Sequence, residues 1–255
     1  MTRALLACAC LLWATPALAQ IGVDAASSTS WTYADSTTRT TTAINPGANV
    51  LHVACVWRDD GVDGSPTAPA VTNSDAALTW TQAVVRTPTE SGGGAAWIAA
   101  YWAYDSTDRA SITFTWAYSN TAHGAIHVTT FTGTDSASMG TTGEGNSTTN
   151  NITPTIYTST VDNSRGYGCA DDWNALGTPV STDDEVAGHT AGIDSYLSAR
   201  KSTNTTPSST AVTMNFDAAG TGAADWAWVA LEIRPAAGGG PAGCKNGLLL
   251  MGAGC

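Results

Sequence analysis

Hydrophobic residues along this chain alternate with polar ones at a period of two, which is the spacing of a half-buried β-strand. In 50–57, Leu51, Val53, Cys55 and Trp57 fall on one face of such a strand. Some segments are apolar on both faces, which is typical of central strands covered on each side. The same period recurs in 95–104, 111–118, 125–132, 153–160, 211–217 and 225–233.

No segment after the N-terminus shows a sustained helical period, and even 195–199 reads better as a strand than as a helical turn. The connections are rich in Gly, Asn, Asp and Pro. Asn45-Pro46-Gly47 predicts a turn, because Pro presets φ and Gly tolerates a positive φ. The pattern therefore predicts an all-β fold of about ten short strands, arranged as an antiparallel two-sheet β-sandwich of jelly-roll-like type.

The N-terminus, 1–19, has the composition of a secretory signal peptide. Arg3 precedes an apolar run, and Ala17-Leu18-Ala19 places small residues at the two positions that signal peptidase reads. We expect cleavage after Ala19 and an extracellular or periplasmic location. The expected organisation is then a β-sandwich domain over 20–235, a Gly-rich linker over 236–243 and a short tail over 244–255.

The charge balance disfavours two classes of partner. The formal net charge is −11, and no basic cluster is larger than Arg200-Lys201. Binding to nucleic acid or to an anionic membrane surface needs clustered cations, so neither is expected. The apolar part of the tail, 248–251, is too short to be a transmembrane segment. Ten Trp against three Phe supply enough aromatic surface for a folded core and argue against disorder.

Four cysteines remain after removal of the predicted leader: Cys55, Cys169, Cys244 and Cys255. An even number in an oxidising compartment favours disulfides, and four cysteines allow three pairings. We favour Cys55–Cys169 within the domain and Cys244–Cys255 closing the tail.

Six strand-like segments follow one another in a characteristic order over 20–235. They are Leu51-His-Val-Ala-Cys-Val-Trp57, 78–85, 97–104, Ile112-Thr-Phe-Thr-Trp116, 127–133 and 225–233. In strand order and texture, this stretch resembles a loose group of exported β-sandwich domains found in bacterial secreted proteins and phage structural proteins. The resemblance contains no catalytic motif, and it implies an extracellular, usually non-catalytic module that is often attached to something larger.

Carboxylates give the candidates for catalysis. A glycoside hydrolase needs two of them across a cleft, with the carboxyl groups about 5–5.5 or 6.5–9.5 Å apart. Asp171, Asp172 and the strand residue Glu232 are the candidates for this alternative function, a small secreted polysaccharide hydrolase or lyase. The sequence has no G-x-S-x-G elbow for a serine nucleophile and no phosphate-binding glycine loop. The favoured interpretation has no catalytic residues.

Metal binding has two candidate motifs. Asp59, Asp60 and Asp63 follow a strong strand and offer oxygen ligands for calcium, but the spacing does not fit an EF-hand and a solvated acidic turn is the favoured alternative. His123 and His127 are four residues apart in a predicted strand, where about 13 Å separates their Cα atoms, too far to share an ion. We therefore expect no cofactor, with calcium as the alternative.

The tryptophans are the best functional signal. An exposed indole on a rigid sheet makes a flat platform that can stack on a sugar ring. Trp80, Trp102 and Trp173 are the candidate binding residues, since their faces are less clearly part of the core. The leading hypothesis is a secreted, non-catalytic module that binds a surface glycan or a protein partner, or that is structural or adhesive at a cell or virion surface. Self-association through sheet edges and the tail is a further possibility.

Overall fold

The computed structural model describes residues 20–24, 29, 32–59, 71–75, 78–86, 96–137, 139–148, 151–172, 178–180, 185–191, 194–219 and 226–237. All regular secondary structure in these residues is β, which confirms the predicted all-β class. The strands are β1 (Gly22–Val23), β2 (Thr32–Thr40), β3 (Val50–Asp59), β4 (Val71–Asn73), β5 (Thr81–Arg86), β6 (Ala96–Asp105), β7 (Phe114–Thr132), β8 (Thr142–Ser147), β9 (Asn151–Ile152), β10 (Thr155–Thr158), β11 (Arg165–Asp172), β12 (Thr178–Val180), β13 (Glu185–Ala191), β14 (Asp194–Arg200), β15 (Ala211–Thr213), β16 (Phe216–Ala219) and β17 (Trp226–Ile233). Within the described ranges, no helical segment has the length and hydropathy that a bilayer crossing requires.

The strands form antiparallel sheets, two of which are large. In the first sheet β3 lies between β6 and β7, β5 flanks β6, and β1, β2 and β4 all pair with β7. The second sheet has the order β13-β14-β11-β17-β8. Two small sheets, β12-β16-β9 and β10-β15, accompany the second sheet. Every pair is antiparallel, as the alternating pattern predicts.

The two large sheets pack face to face across a shared hydrophobic core, which we call the inner core. Trp57 on β3 contacts Tyr196 on β14, with ring centroids 4.5 Å apart. The Cys55–Cys169 disulfide joins β3 to β11 through this core, with the two Cα atoms 5.8 Å apart. The predicted pairing of these two cysteines is thereby confirmed. Cys244 and Cys255 lie outside the described residues.

Each large sheet also buries its outer face. Ala170, Leu197 and Trp228 of the second sheet pack with Met214 and Phe216 in one outer core. On the first sheet a second outer core is built around β7, whose N-terminal half carries several aromatic side chains against β3 and β6. Its members include Trp97 and Trp116, which stack with their ring centroids 5.6 Å apart. Burial of both faces explains why β3, β6 and β17 are apolar at nearly every position.

Two local features differ from the sequence-based expectation. The predicted segment 125–132 and most of the predicted segment 111–118 belong to one 19-residue strand, β7, which begins at Phe114, and not to two strands with a turn between them. β2 pairs with β7 on both sides of a register shift, at which Ser36 pairs with Ala122 and Thr38 with Ala117. In the connection that follows Pro46, the positive φ of 60° falls at Asn49 and not at Gly47.

Candidate functional site

Two aromatic side chains on β6 form a half-buried surface that we call the aromatic ledge, defined as Trp102 and Tyr104. They follow Ile98 and Ala100 at alternate positions and so share the strand face that points to the inner core. Ile98 and Ala100 are fully buried, whereas Trp102 and Tyr104 pack against the inner core and remain partly exposed. The ledge is therefore fixed at its base and open to solvent at its rim.

The hydroxyl of Tyr104 has a hydrogen-bond partner at the rim of the ledge, the side chain of Asn49. The hydroxyl lies 3.4 Å from Oδ1 of Asn49, which accepts from it. Burial raises the pKa of Tyr104, and the negative charge of Asp135 raises it further. The phenol therefore stays protonated at neutral pH and can donate a hydrogen bond.

Backbone conformation and hydrogen bonds position Asn49 and also Asp135, whose charge acts on the pKa of Tyr104. Asn49 adopts the left-handed conformation that Asn tolerates better than most residues. The N–H of Asp135 donates to the carbonyl of Arg234 at 2.9 Å, and its Oδ1 accepts from the N–H of Ala137 at 2.9 Å. The second carboxylate oxygen of Asp135 has no part in this turn. The site thus combines two half-buried aromatic side chains with a positioned hydrogen-bonding group, the side chain of Asn49.

The three predicted binding tryptophans do not form one surface. Trp80 packs in the outer core of the first sheet, edge-on to Phe114 at 5.7 Å between ring centroids. Trp102 lies on the inner face of the same sheet. Trp173 lies outside the described residues. Of Trp80 and Trp102, only Trp102 therefore shares its strand face with another half-buried aromatic residue, Tyr104.

The candidate catalytic carboxylates lie far apart along the second sheet. Asp171 pairs with Ala227 of β17, five residues before Glu232, which corresponds to about 16 Å along the strand. Asp171 shares the inner face with Cys169, whereas Glu232 shares the outer face with Ala230. Asp172 is on the outer face but one residue farther from Glu232. Neither separation matches the carboxyl spacing of a glycoside hydrolase.

The carboxylate of Glu232 anchors two connecting segments by hydrogen bonds, at Thr160 and at Thr141. Oε1 accepts from the N–H of Thr160 at 2.7 Å, and Oε2 accepts from the Thr160 hydroxyl at 2.5 Å and from the N–H of Thr141 at 3.1 Å. Burial works to raise the pKa of Glu232, but these hydrogen bonds outweigh it and hold the pKa below its usual value. A fully buried, ionised and saturated carboxylate is suited to anchoring two connections and not to donating a proton.

Of the three predicted calcium ligands, Asp59 lies at the end of β3. Asp59 is its last residue and pairs with His123 of β7, which also pairs with Asp35 of β2. Asp60 and Asp63 lie outside the described residues. Within the ranges given above, no group of three His, Cys, Asp or Glu side chains is placed to hold a metal ion. His123 is exposed and His127 is buried, both on β7.

A polar cluster inside the inner core was not predicted. Nδ1 of His127 lies 2.9 Å from the Ser198 hydroxyl and 3.5 Å from the Tyr167 hydroxyl. The Tyr167 hydroxyl also lies 3.0 Å from Oγ1 of Thr129 and 3.5 Å from Sγ of Cys55. Burial lowers the pKa of His127 to about 4, against the opposing effect of a hydrogen bond to the backbone of Thr29. The imidazole is neutral, and the closed core gives a substrate no access to it.

A second buried histidine, His52, lies next to a network of charged side chains. Nδ1 of His52 lies 2.9 Å from Oγ1 of Thr130, and its Nε2 lies 4.0 Å from Oδ2 of Asp105. Arg109 donates from Nε to Asp105 at 2.8 Å and from Nη1 to Asp75 at 3.1 Å. Burial lowers the pKa of His52 to about 4, although the charge of Asp105 opposes this. These groups tie β3 and β6 to the connection that follows β6.

The sequence contained one signal for these two histidines. Each stands in the middle of an otherwise apolar strand, where a polar side chain must find partners from neighbouring strands. The identity of the partners depends on strand order, which the sequence pattern does not give. Comparisons of the chain with protein-family models, with curated proteins and with solved structures found no match. Its function must therefore be inferred from the arrangement of its own residues.

Proposed function

We propose that this protein is an exported, non-catalytic module with a jelly-roll-like β-sandwich fold that binds a surface glycan at the aromatic ledge. The aromatic ledge carries this proposal. Trp102 and Tyr104 are adjacent on one strand face, partly exposed, and backed by the inner core. Such a surface stacks against the apolar face of a pyranose ring, and the Tyr104 hydroxyl and its neighbours can hydrogen-bond the sugar hydroxyls.

A rigid base favours binding of this kind. The strand that carries the ledge pairs with β3 along its whole length, and β3 is joined to the second sheet by the disulfide. A preorganised aromatic surface loses little conformational entropy when a sugar binds. The disulfide also supports export, because such bonds persist in oxidising compartments. With the predicted signal peptide at 1–19, it favours a secreted protein.

Binding without catalysis is favoured over the alternative of a polysaccharide hydrolase or lyase. Asp171 and Glu232 lie on opposite faces of the second sheet, about 16 Å apart along β17. Both carboxylate oxygens of Glu232 also accept hydrogen bonds from backbone and hydroxyl donors. A structural or adhesive role at a cell or virion surface is compatible with the same fold and needs no ligand at the ledge.

The test is a pull-down of the purified 20–255 protein with a panel of insoluble polysaccharides, in which sugar release is measured in the same wells. We expect retention on at least one polysaccharide without new reducing ends or unsaturated products. Product formation would contradict the proposal and would make Asp171, Asp172 and Glu232 the first alanine substitutions. Absence of both retention and products would also contradict it and would favour the structural or adhesive role.

A further inference from the structure

Gln20 is the residue that would become the N-terminus of the exported protein. Cleavage after Ala19, which the leader sequence predicts, frees the α-amino group of this glutamine. The described part of the chain also begins at Gln20, and this residue is exposed to solvent. A free α-amino group and an accessible carboxamide would therefore belong to one residue.

The fold holds the chain from the next residue onward. Ile21 is buried in the inner core, and its carbonyl accepts a hydrogen bond from Nη1 of Arg165 at 3.1 Å. Gly22 then pairs with Thr132 in the first sheet. Removal of the leader would therefore leave these contacts in place and would leave Gln20 as a short exposed end.

The carbonyl group of Gln20 is the part of this residue that packs closely against the fold. Gly133 adopts a φ of 69°, and a Cβ there would collide with the carbonyl oxygen of Gln20. The N–H of Ala236 donates to the carbonyl of Gly133 at 2.9 Å, which holds this glycine in place. The atoms nearest to such a Cβ are the Gln20 carbonyl group and Cα of Ile21, and the α-nitrogen and carboxamide of Gln20 are not among them.

An N-terminal glutamine can close a lactam ring with its own side chain. The neutral α-amine attacks Cδ of the carboxamide, an N–Cδ bond forms, the bond from Cδ to the amide nitrogen breaks, and ammonia leaves with the proton that the amine gives up. The α-amino group titrates just above neutral pH, so part of it is neutral and nucleophilic there. Both groups lie on one residue, which makes the reaction intramolecular and favours it. The ring does not include the carbonyl that packs against Gly133, so this contact is kept.

From these observations we infer that Gln20 is a modification site, at which the exported chain carries an N-terminal pyroglutamate. The inference rests on the predicted cleavage after Ala19, and it goes beyond the proposed glycan binding, on which it does not depend. Cyclisation removes the positive charge of the α-ammonium group and the free amine that an aminopeptidase needs. The modification therefore protects the end of the exported chain and leaves β1 and the inner core unchanged.

The test is the intact mass of the full chain, expressed with its own leader and collected from the periplasm or culture medium of a bacterial host. The disulfides are reduced before the measurement, and the protein is kept at neutral pH until its mass is constant. We expect the mass of residues 20–255 less one molecule of ammonia, with the loss located in the N-terminal peptide. A mass of 20–255 without this loss would overturn the inference. A first residue other than Gln20 would overturn it as well, and neither result bears on glycan binding.

The matched variant is Gln20→Asn, which keeps an exposed carboxamide but is one methylene too short to close the same ring. The variant should keep the full mass of its chain, and an aminopeptidase should release its first residue. The wild type should resist the aminopeptidase and lose one residue to a pyroglutamyl peptidase. Release of glutamine from the wild type by the aminopeptidase, or an equal loss of ammonia in the variant, would contradict the inference.

Discussion

His52 and His127 are buried in the first sheet, and their burial makes the stability of the fold depend on pH. Their pKa values are lowered to about 4, chiefly by burial, from an ordinary value of 6.5. The unfolded chain therefore takes up protons at a higher pH than the folded chain does. Stability that is complete above pH 6.5 should be lost as the pH falls towards 4.

We predict that each of these histidines makes the free energy of unfolding about 2 kcal/mol lower at pH 5 than at pH 7. Urea unfolding of wild type and His127→Asn at both pH values measures this, because the variant should lose its share of the pH dependence whatever its absolute stability. His123→Asn is the control, since His123 is exposed on the same strand. A pH dependence in His127→Asn as steep as in wild type would contradict the prediction.

The neighbours and roles of individual side chains were harder to predict from the sequence than the strands were. The sequence pattern marks Trp102 as a residue of uncertain face, and the structure places it beside Tyr104, which the pattern does not single out. Asn49 comes from a connection distant in sequence, so its position at Tyr104 follows from strand order alone. Glu232 was a catalytic candidate by residue type, and only its hydrogen-bond partners explain its burial.

At the scale of elements, β7 departs most from the sequence pattern. It runs through a polar segment that looks like a turn, and it packs closely against β3 at Gly124. A Cβ on Gly124 would lie 2.7 Å from the backbone oxygen of Trp57 and 3.2 Å from the indole of Trp116. The long strand thus depends on a close backbone approach that only glycine permits.

We predict that Gly124→Ala lowers the free energy of unfolding by about 1–3 kcal/mol, because backbone atoms must move to admit the methyl group. Gly47→Ala is the matched control, since a Cβ there meets nothing within 4 Å. Chemical denaturation should place that variant within about 0.5 kcal/mol of wild type. Equal stabilities for the two variants would mean that the strands do not approach each other in this way.

The alternating pattern predicted β3, β6 and β17, which lie inside the two large sheets, but it did not predict β11, the middle strand of the second sheet. β3, β6 and β17 carry a strong apolar signal because both of their faces are buried. β2 gave no such signal, since its sequence is mostly Thr, Ser, Asp and Arg. Its pairing with β7 is satisfied by backbone hydrogen bonds, which leave no mark in a pattern of hydrophobic positions.

At the scale of the whole molecule, one covalent link joins the two large sheets. Cys55 and Cys169 are 114 residues apart in sequence and fully buried in the inner core. Closing so long a loop restricts the unfolded chain strongly, and the bond is out of reach of a reductant while the core stays folded. The link makes the relative position of the two sheets resistant to local opening.

We predict that Cys55→Ala combined with Cys169→Ala lowers the free energy of unfolding by roughly 2–5 kcal/mol. The control is Cys244→Ala combined with Cys255→Ala, which removes the tail cysteines and should leave unfolding of the β-sheets unchanged. Thermal or denaturant unfolding, followed by tryptophan fluorescence, measures both. A larger effect of the tail variant would indicate that the cysteines are paired across the two regions.

We propose that Trp102, and not Trp80, forms the binding surface. The most direct measurement compares Trp102→Leu with Trp80→Leu for retention on the polysaccharide that retains the wild type, with melting temperatures taken alongside. Both variants remove a half-buried indole, from opposite faces of the first sheet. We predict that Trp102→Leu loses at least roughly tenfold in affinity and that Trp80→Leu keeps wild-type affinity. Unchanged binding in a folded Trp102→Leu protein would contradict the account.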